Sequence, residues 1–177
     1  MIAFTDVDAF AKSFAALDGV FDAPPPLGDP VDLLAHGLQC ADILRGRYPG
    51  DLGLQLAGLV HDIGHAVGGD DPDHARTGAE AVRPLFGDRV ADLVGLHVAA
   101  KRYLAATEDY ELSEASRLSL ARQGDVMTPD EVTAFAAGPE AAAAIALRRA
   151  DEDAKVVGRA VPGLATWIPR IHDYVRR

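Results

Sequence analysis

The stretch "LAGLVHDIGHAV", Leu56 to Val67, sets three ionisable side chains in an apolar run. His61, Asp62 and His65 interrupt what would otherwise be a core helix. Burying them without partners is costly, roughly several kcal/mol or more for an ionised carboxylate. A bound metal ion offsets that cost. The chain has six histidines, and five of them (His36, His61, His65, His74 and His97) fall between residues 36 and 97. Each alone reads as an ordinary core, capping or surface histidine, and an HD dipeptide alone is a weak signal. Together, and with Asp151 in "ALRRADEDAK", they read as a metal site. His172, in an arginine-rich tail, reads as surface. At helical spacing His61 and His65 share a face. Asp62 projects about 100° away, and a carboxylate has oxygens enough to bridge two ions.

Around these ligands lie groups suited to an anionic substrate. Lys101 follows His97 by one helical turn, and Arg148 precedes Asp151 by one turn, so both face the cluster. The pair suits a small anion, with Arg148 offering a fork of donors. Ser119 and Gln123, one turn apart, add neutral donors. The plain alternatives are a snorkelling lysine and ordinary helix surface. His and carboxylate ligands suit iron, zinc, manganese and cobalt alike. A two-metal site of this kind can activate water against a phosphoester.

The elements that must position these residues read as helices. A first helix follows Thr5 or Asp6, with Phe10, Phe14 and Leu17 on one face. "FDAPPPLGDP" is a loop. Asp29 is expected to cap a helix with Pro30 at its first position, carrying His36. A helix from about Leu52 to His65 carries the HD motif. Asp73 is expected to cap the helix that begins at His74, and a further helix, Val90 to Tyr103, carries His97 and Lys101. Ser113 caps "LSEASRLSLARQ". "TPDE" fits a capping box, and two more helices hold Asp151 and "WIPRIHDYVRR". The expectation is an all-α bundle of about eight helices.

Composition agrees. The 177 residues suit one domain with a sizeable core. Alanine is abundant and aromatics are scarce, which favours helix. A net charge of −10 argues against nucleic acid and anionic lipid as partners. The single cysteine, Cys40, allows no internal disulfide and suggests a cytoplasmic protein. The N-terminus has no signal-peptide pattern, and no apolar run reaches about 20 residues.

The order H, HD, H, H, D resembles the HD-domain superfamily of helical metalloenzymes. Carried over residue by residue, the resemblance implies the ligands His36, His61, Asp62, His74, His97 and Asp151. It selects Asp151 over Glu152 and Asp153 because Asp151 directly follows "LRRA". His74 and His97 mark a two-metal site. "GDPVDLLAHGLQCA", "VHDIGH", "HVAAKRYL", "SLARQGDVM" and "LRRADEDAK" together resemble the mixed-valent di-iron oxygenases that cleave organophosphonates, with myo-inositol oxygenase a more distant relative. The similarity runs from about Gly28 to Lys155, within a single HD domain expected over 1–177, with helices appended at both ends. It implies an Fe(II)/Fe(III) pair, O2, and a small anionic hydroxylated substrate. It also implies that His65 reaches toward that substrate beside Lys101. The alternative is a two-metal phosphohydrolase acting on a small phosphoester or nucleotide. The phosphonate oxygenases carry a Tyr and a Glu just before the first ligand. Here Asp29 stands in for the glutamate, and Pro26 falls where the tyrosine would be. The loop from Phe21 to Asp29 reads either as a stiff lid or as a rigid connector. Oligomeric state is not legible.

Overall fold

The computed structural model describes residues 2–23, 28–68 and 72–176. Pro26 and the middle of the suggested lid lie outside the described residues. Within them the chain forms nine helical segments and no strand. None of the helices is long and apolar enough to cross a membrane.

Helix α1 (Val7–Ala15) starts at Asp6, whose carboxylate accepts the Ala9 N–H at 2.8 Å. It buries Phe10 and Phe14, and the Phe10 ring meets Phe86 edge-on at 5.1 Å. Helix α2 (Leu33–Arg47) is capped by Asp32, which accepts the Ala35 N–H at 2.7 Å. The expected cap, Asp29, is not used. Both aspartates are good caps, but the Asp29 carboxylate is held by Lys155 at 3.0 Å, and the helix starts at the next one available.

Helix α3 (Leu52–Val60) is capped by Asp51 and is buried from Gly53 to Val60. It is the central element, packed by α2, α5, α8 and α9. The expected continuous helix to His65 is interrupted. His61 ends α3, Asp62 is non-helical, and a single turn, α4 (Ile63–Ala66), follows. A bare backbone at Gly64 permits this turn to lie against the next helix, since a Cβ there would sit 1.9 Å from His74 O.

Helix α5 (His74–Thr107) consists of two helical limbs, as expected, joined at Gly87, where the chain folds back. Gly87 has φ 77° and ψ 178°, a conformation essentially reserved for glycine. Asp73 flanks the helix start without a side-chain capping bond. Its carboxylate instead accepts from Arg76 at 3.2 Å. Helix α6 (Glu114–Arg122) is capped by Ser113, and α7 (Pro129–Ala136) by the full capping box of Thr128 and Glu131. Helix α8 (Ala141–Asp153) packs on α2 and α5. Helix α9 (Leu164–Val175) closes the core with Trp167 and Ile171, both fully buried.

Candidate metal centre

The six residues of the H…HD…H…H…D pattern converge on one point of the core. His36 comes from the first turn of α2, and His61 from the end of α3. His74 and His97 come from the two limbs of α5, and Asp151 from the last turn of α8. Asp62 is placed by the break between α3 and α4. His36 Nε2 lies 3.2 Å from His61 Nε2 and 3.2 Å from Asp151 Oδ1. Asp62 Oδ2 faces the same group, 3.4 Å from His36 Nε2 and 3.3 Å from His61 Nε2. The other oxygen, Oδ1, lies 3.6 Å from both His74 Nε2 and His97 Nε2. Those two nitrogens are 2.9 Å apart. Asp62 thus turns one oxygen to each of two separate sets of donors.

The far side of three imidazoles is fixed. Nδ1 of His36 donates to Ala154 O at 3.2 Å, that of His61 to Gly58 O at 2.9 Å, and that of His97 to Val94 O at 2.7 Å. A carbonyl only accepts, so Nδ1 carries the hydrogen and the neutral rings aim their Nε2 lone pairs at one another. Such a cluster repels itself unless a cation or proton sits among the nitrogens. Two cis ligands of a six-coordinate ion, at roughly 2.1 Å each, stand roughly 3 Å apart, which matches the spacings here. The donor set fits two metal ions.

Electrostatics divide the centre. Burial pushes His36 down, but the Asp151 and Asp62 carboxylates raise it to about 9. His61 is likewise raised against its burial by the same two carboxylates. Burial raises Asp62 and Asp151, yet His61 and His36, with Arg148 beside Asp151, hold both below the usual carboxylate range. His97 goes the other way. Burial and then its neighbours His74 and His61 hold it well below the ordinary histidine value.

Beside the centre opens a cleft holding about 600 Å³ of empty space, part of it open to solvent. Asp29, His65, Lys101, Ser119, Gln123 and Arg148 all line it. His65 does not share a face with His61, because the backbone breaks between them. Its ring instead stacks on His74, with centroids 4.2 Å apart. Its ligand atoms are also close enough to those of Asp62 and His74 to join that group. Lys101 is 5% exposed and donates to Ser119 Oγ at 2.7 Å. Arg148 is buried against Asp151, Glu152 and Ser116.

Four polar lining residues were not singled out from sequence: Asp22, Ser116, Arg122 and Lys155. Lys155 stands out. It donates to Ser116 Oγ at 2.7 Å and Ser113 Oγ at 3.2 Å, and pairs with Asp29 and Glu152. Its spacing of four from Asp151 was the available signal. Ser116 precedes Ser119 by three on α6, and so continues the stripe of Ser119 and Gln123.

The HD-domain family model matches residues 33–154, a span that contains all six of the converging residues. Relatives include the hydroxymethylphosphonate dioxygenase of Gimesia maris. It is 37% identical over 152 residues, covering 78% of this chain and 75% of that protein. The [1-hydroxy-2-(trimethylamino)ethyl]phosphonate dioxygenase (glycine-betaine-forming) of Leisingera caerulea is 35% identical over 175 residues, covering 90% and 88% respectively.

Proposed function

The chain belongs to the HD-domain family and is an oxygenase, and we propose that it uses two iron ions and O2 to oxidise a small hydroxylated organophosphonate. The observation that carries this reading is the orientation of Asp62, with one oxygen toward His36 and His61 and the other toward His74 and His97. One ion alone would need neither the second pair of histidines nor a two-faced carboxylate. The names of the two dioxygenase relatives supply the substrate class.

In this reading His36, His61, Asp62 and Asp151 hold one ion, and Asp62, His74 and His97 the other. When bound as an Fe(II)/Fe(III) pair, the ions supply the one-electron redox chemistry that reaction with O2 requires. The chain does the rest. Lys101, steadied by Ser119, provides fixed positive charge for the phosphonate, and Ser119 and Gln123 offer neutral donors. A cation held in place by a partner hydroxyl needs little rearrangement when the anion arrives. His65, stacked on His74 at the cleft wall, would take the proton of the substrate hydroxyl. Arg148 orients Asp151, and Asp29 acts through Lys155. Burial of the lysines in the wall keeps water from screening these charges.

The test loads the protein with iron without oxygen and records EPR and Mössbauer spectra with and without hydroxymethylphosphonate. Oxygen uptake and phosphate release are then followed together. The expected result is a coupled Fe(II)/Fe(III) signal perturbed by the phosphonate, with phosphate released only as O2 is consumed. Phosphate release from a phosphoester with no oxygen uptake would favour the hydrolase instead.

A further inference from the structure

The two relatives act on phosphonates that differ in one respect: one substrate ends in a quaternary ammonium and the other carries no cation. Cleft chemistry can choose between them. A trimethylammonium group has no N–H to donate. It is held by unspent carboxylates or by aromatic faces, with Trp, Tyr and Phe the usual ones. The described lining of this cleft contains no Phe, Tyr or Trp. Residues 24–27, which follow Ala23 of that lining, are three prolines and a leucine.

One carboxylate, Asp29, is committed to a cation as well. Besides the metal-facing residues, Asp22 and Asp29 are the acids of the described lining. Asp29 Oδ2 is paired with Lys155 Nζ at 3.0 Å. Asp22 Oδ1 accepts the backbone N–H of Asp29 at 3.1 Å. Lys155 is itself largely buried, its side chain 9% exposed, and two serine hydroxyls fix it beside that acid. An ammonium group approaching Asp29 would meet a lysine ahead of it, and like charges at that range repel.

We propose that Lys155 makes this site select hydroxyalkylphosphonates that carry no cationic group. Lys155 neutralises the acid that would receive an ammonium. The inference rests on the reading of the cleft as a phosphonate site, so binding and turnover are measured separately.

Calorimetry on anaerobic, iron-loaded protein compares hydroxymethylphosphonate with [1-hydroxy-2-(trimethylamino)ethyl]phosphonate. The first is expected to bind at least about tenfold tighter. In Lys155→Met that ratio should collapse toward one, because the ammonium ligand gains Asp29 while the plain phosphonate loses a cation. Lys155→Arg should keep the preference. A merely structural lysine would weaken both ligands together and leave the ratio alone. Should Lys155→Met fail to fold, Asp29→Asn serves: it removes one of the two carboxylates that offset Lys155 and the acid an ammonium would approach, so the ratio should widen. Equal or inverted affinities in the native protein, binding of neither ligand, or a ratio unmoved in the folded variants overturns the proposal. Oxygen uptake is read on the same samples. Selective binding without uptake would refute the oxygenase chemistry while leaving this selectivity standing.

Discussion

The two halves of the candidate metal centre are built in opposite ways. The half of His36, His61 and Asp151 draws on three helices, α2, α3 and the distant α8, and gathers two carboxylates, counting Asp62 Oδ2. The half of His74 and His97 comes from the two limbs of α5 and, among the described residues, has Asp62 Oδ1 as its share of negative charge. The first half holds its histidines ready for a proton or a metal, with His36 raised to about 9. The second keeps His97 neutral, pushed down by burial and by neighbouring imidazoles. Negative charge binds cations, so the carboxylate-rich half should hold its ion more tightly. The histidine half, beside the cleft and close to His65, should hold the ion that is lost and exchanged more easily.

Removing ligands is the strongest way to break this contrast. Asp62→Ala should strip both halves, because the same carboxylate serves each, and metal content should fall from two ions per chain toward none. His97→Ala should remove one ion only. It leaves the first half intact and abolishes turnover, a loss of at least about 100-fold on the scale of a missing metal ligand or its partner. Metal analysis after dialysis against a weak chelator checks both. If His97→Ala keeps two ions, or Asp62→Ala keeps one firmly bound, the halves are not divided as described.

Much of this centre was legible because its residues are scarce and costly to bury. Few other roles explain five histidines in one stretch of a helical chain, and helical pitch pointed Lys101 and Arg148 toward the cleft that they line. Pitch failed where the helix stops. His65 was expected on the face of His61, but Asp62 leaves the helix and the ring turns to stack on His74. Lys155 lies beyond the end of α8, where a count of turns from Asp151 carries less weight. Asp29 was misjudged as a cap for a related reason. Capping preference is local and visible, whereas the ion pair with Lys155 joins distant parts of the chain and has no local signature. Asp22 sits in a loop with no period at all.

A gentler probe of the contrast is pH. The folded value of His36, about 9, lies above its ordinary 6.5. Its contribution to stability is therefore complete below the unfolded value and is lost as pH rises through about 9. Asp62 and Asp151, held below their ordinary value, contribute with the opposite sign, and lose their share only in acid. Metal-free protein should thus weaken between about pH 7 and 9.5, by up to roughly 3 kcal/mol. Metal-loaded protein should not, since the ion replaces the proton on Nε2. Urea midpoints for both forms across that range test the point. A metal-free midpoint that stays level would mean that the carboxylate-rich half does not hold the proton assigned to it.

The smallest expected effect concerns how the histidine half is assembled. His74 and His97 are 23 positions apart on α5, and a straight helix would separate them by roughly 34 Å. Their Nε2 atoms are 2.9 Å apart because the chain folds back at Gly87, whose φ of 77° and ψ of 178° an L side chain resists. Nothing lies within 4 Å of a Cβ built there, so Gly87→Ala tests backbone strain alone, without a clash. Strain of this kind costs about 1–3 kcal/mol. The variant should fold with a lowered melting temperature. If part of the strain is relieved by opening the two limbs of α5, the histidine half should lose affinity for its ion while the carboxylate-rich half keeps its own. Sequential metal titration, followed by the perturbation of the ligands, separates the two affinities. A variant that is less stable but binds both ions as before would show that the limbs are held by their packing on α3 and α8, with Gly87 only permitting the turn. A variant that loses both ions equally would show that the two halves form one rigid unit.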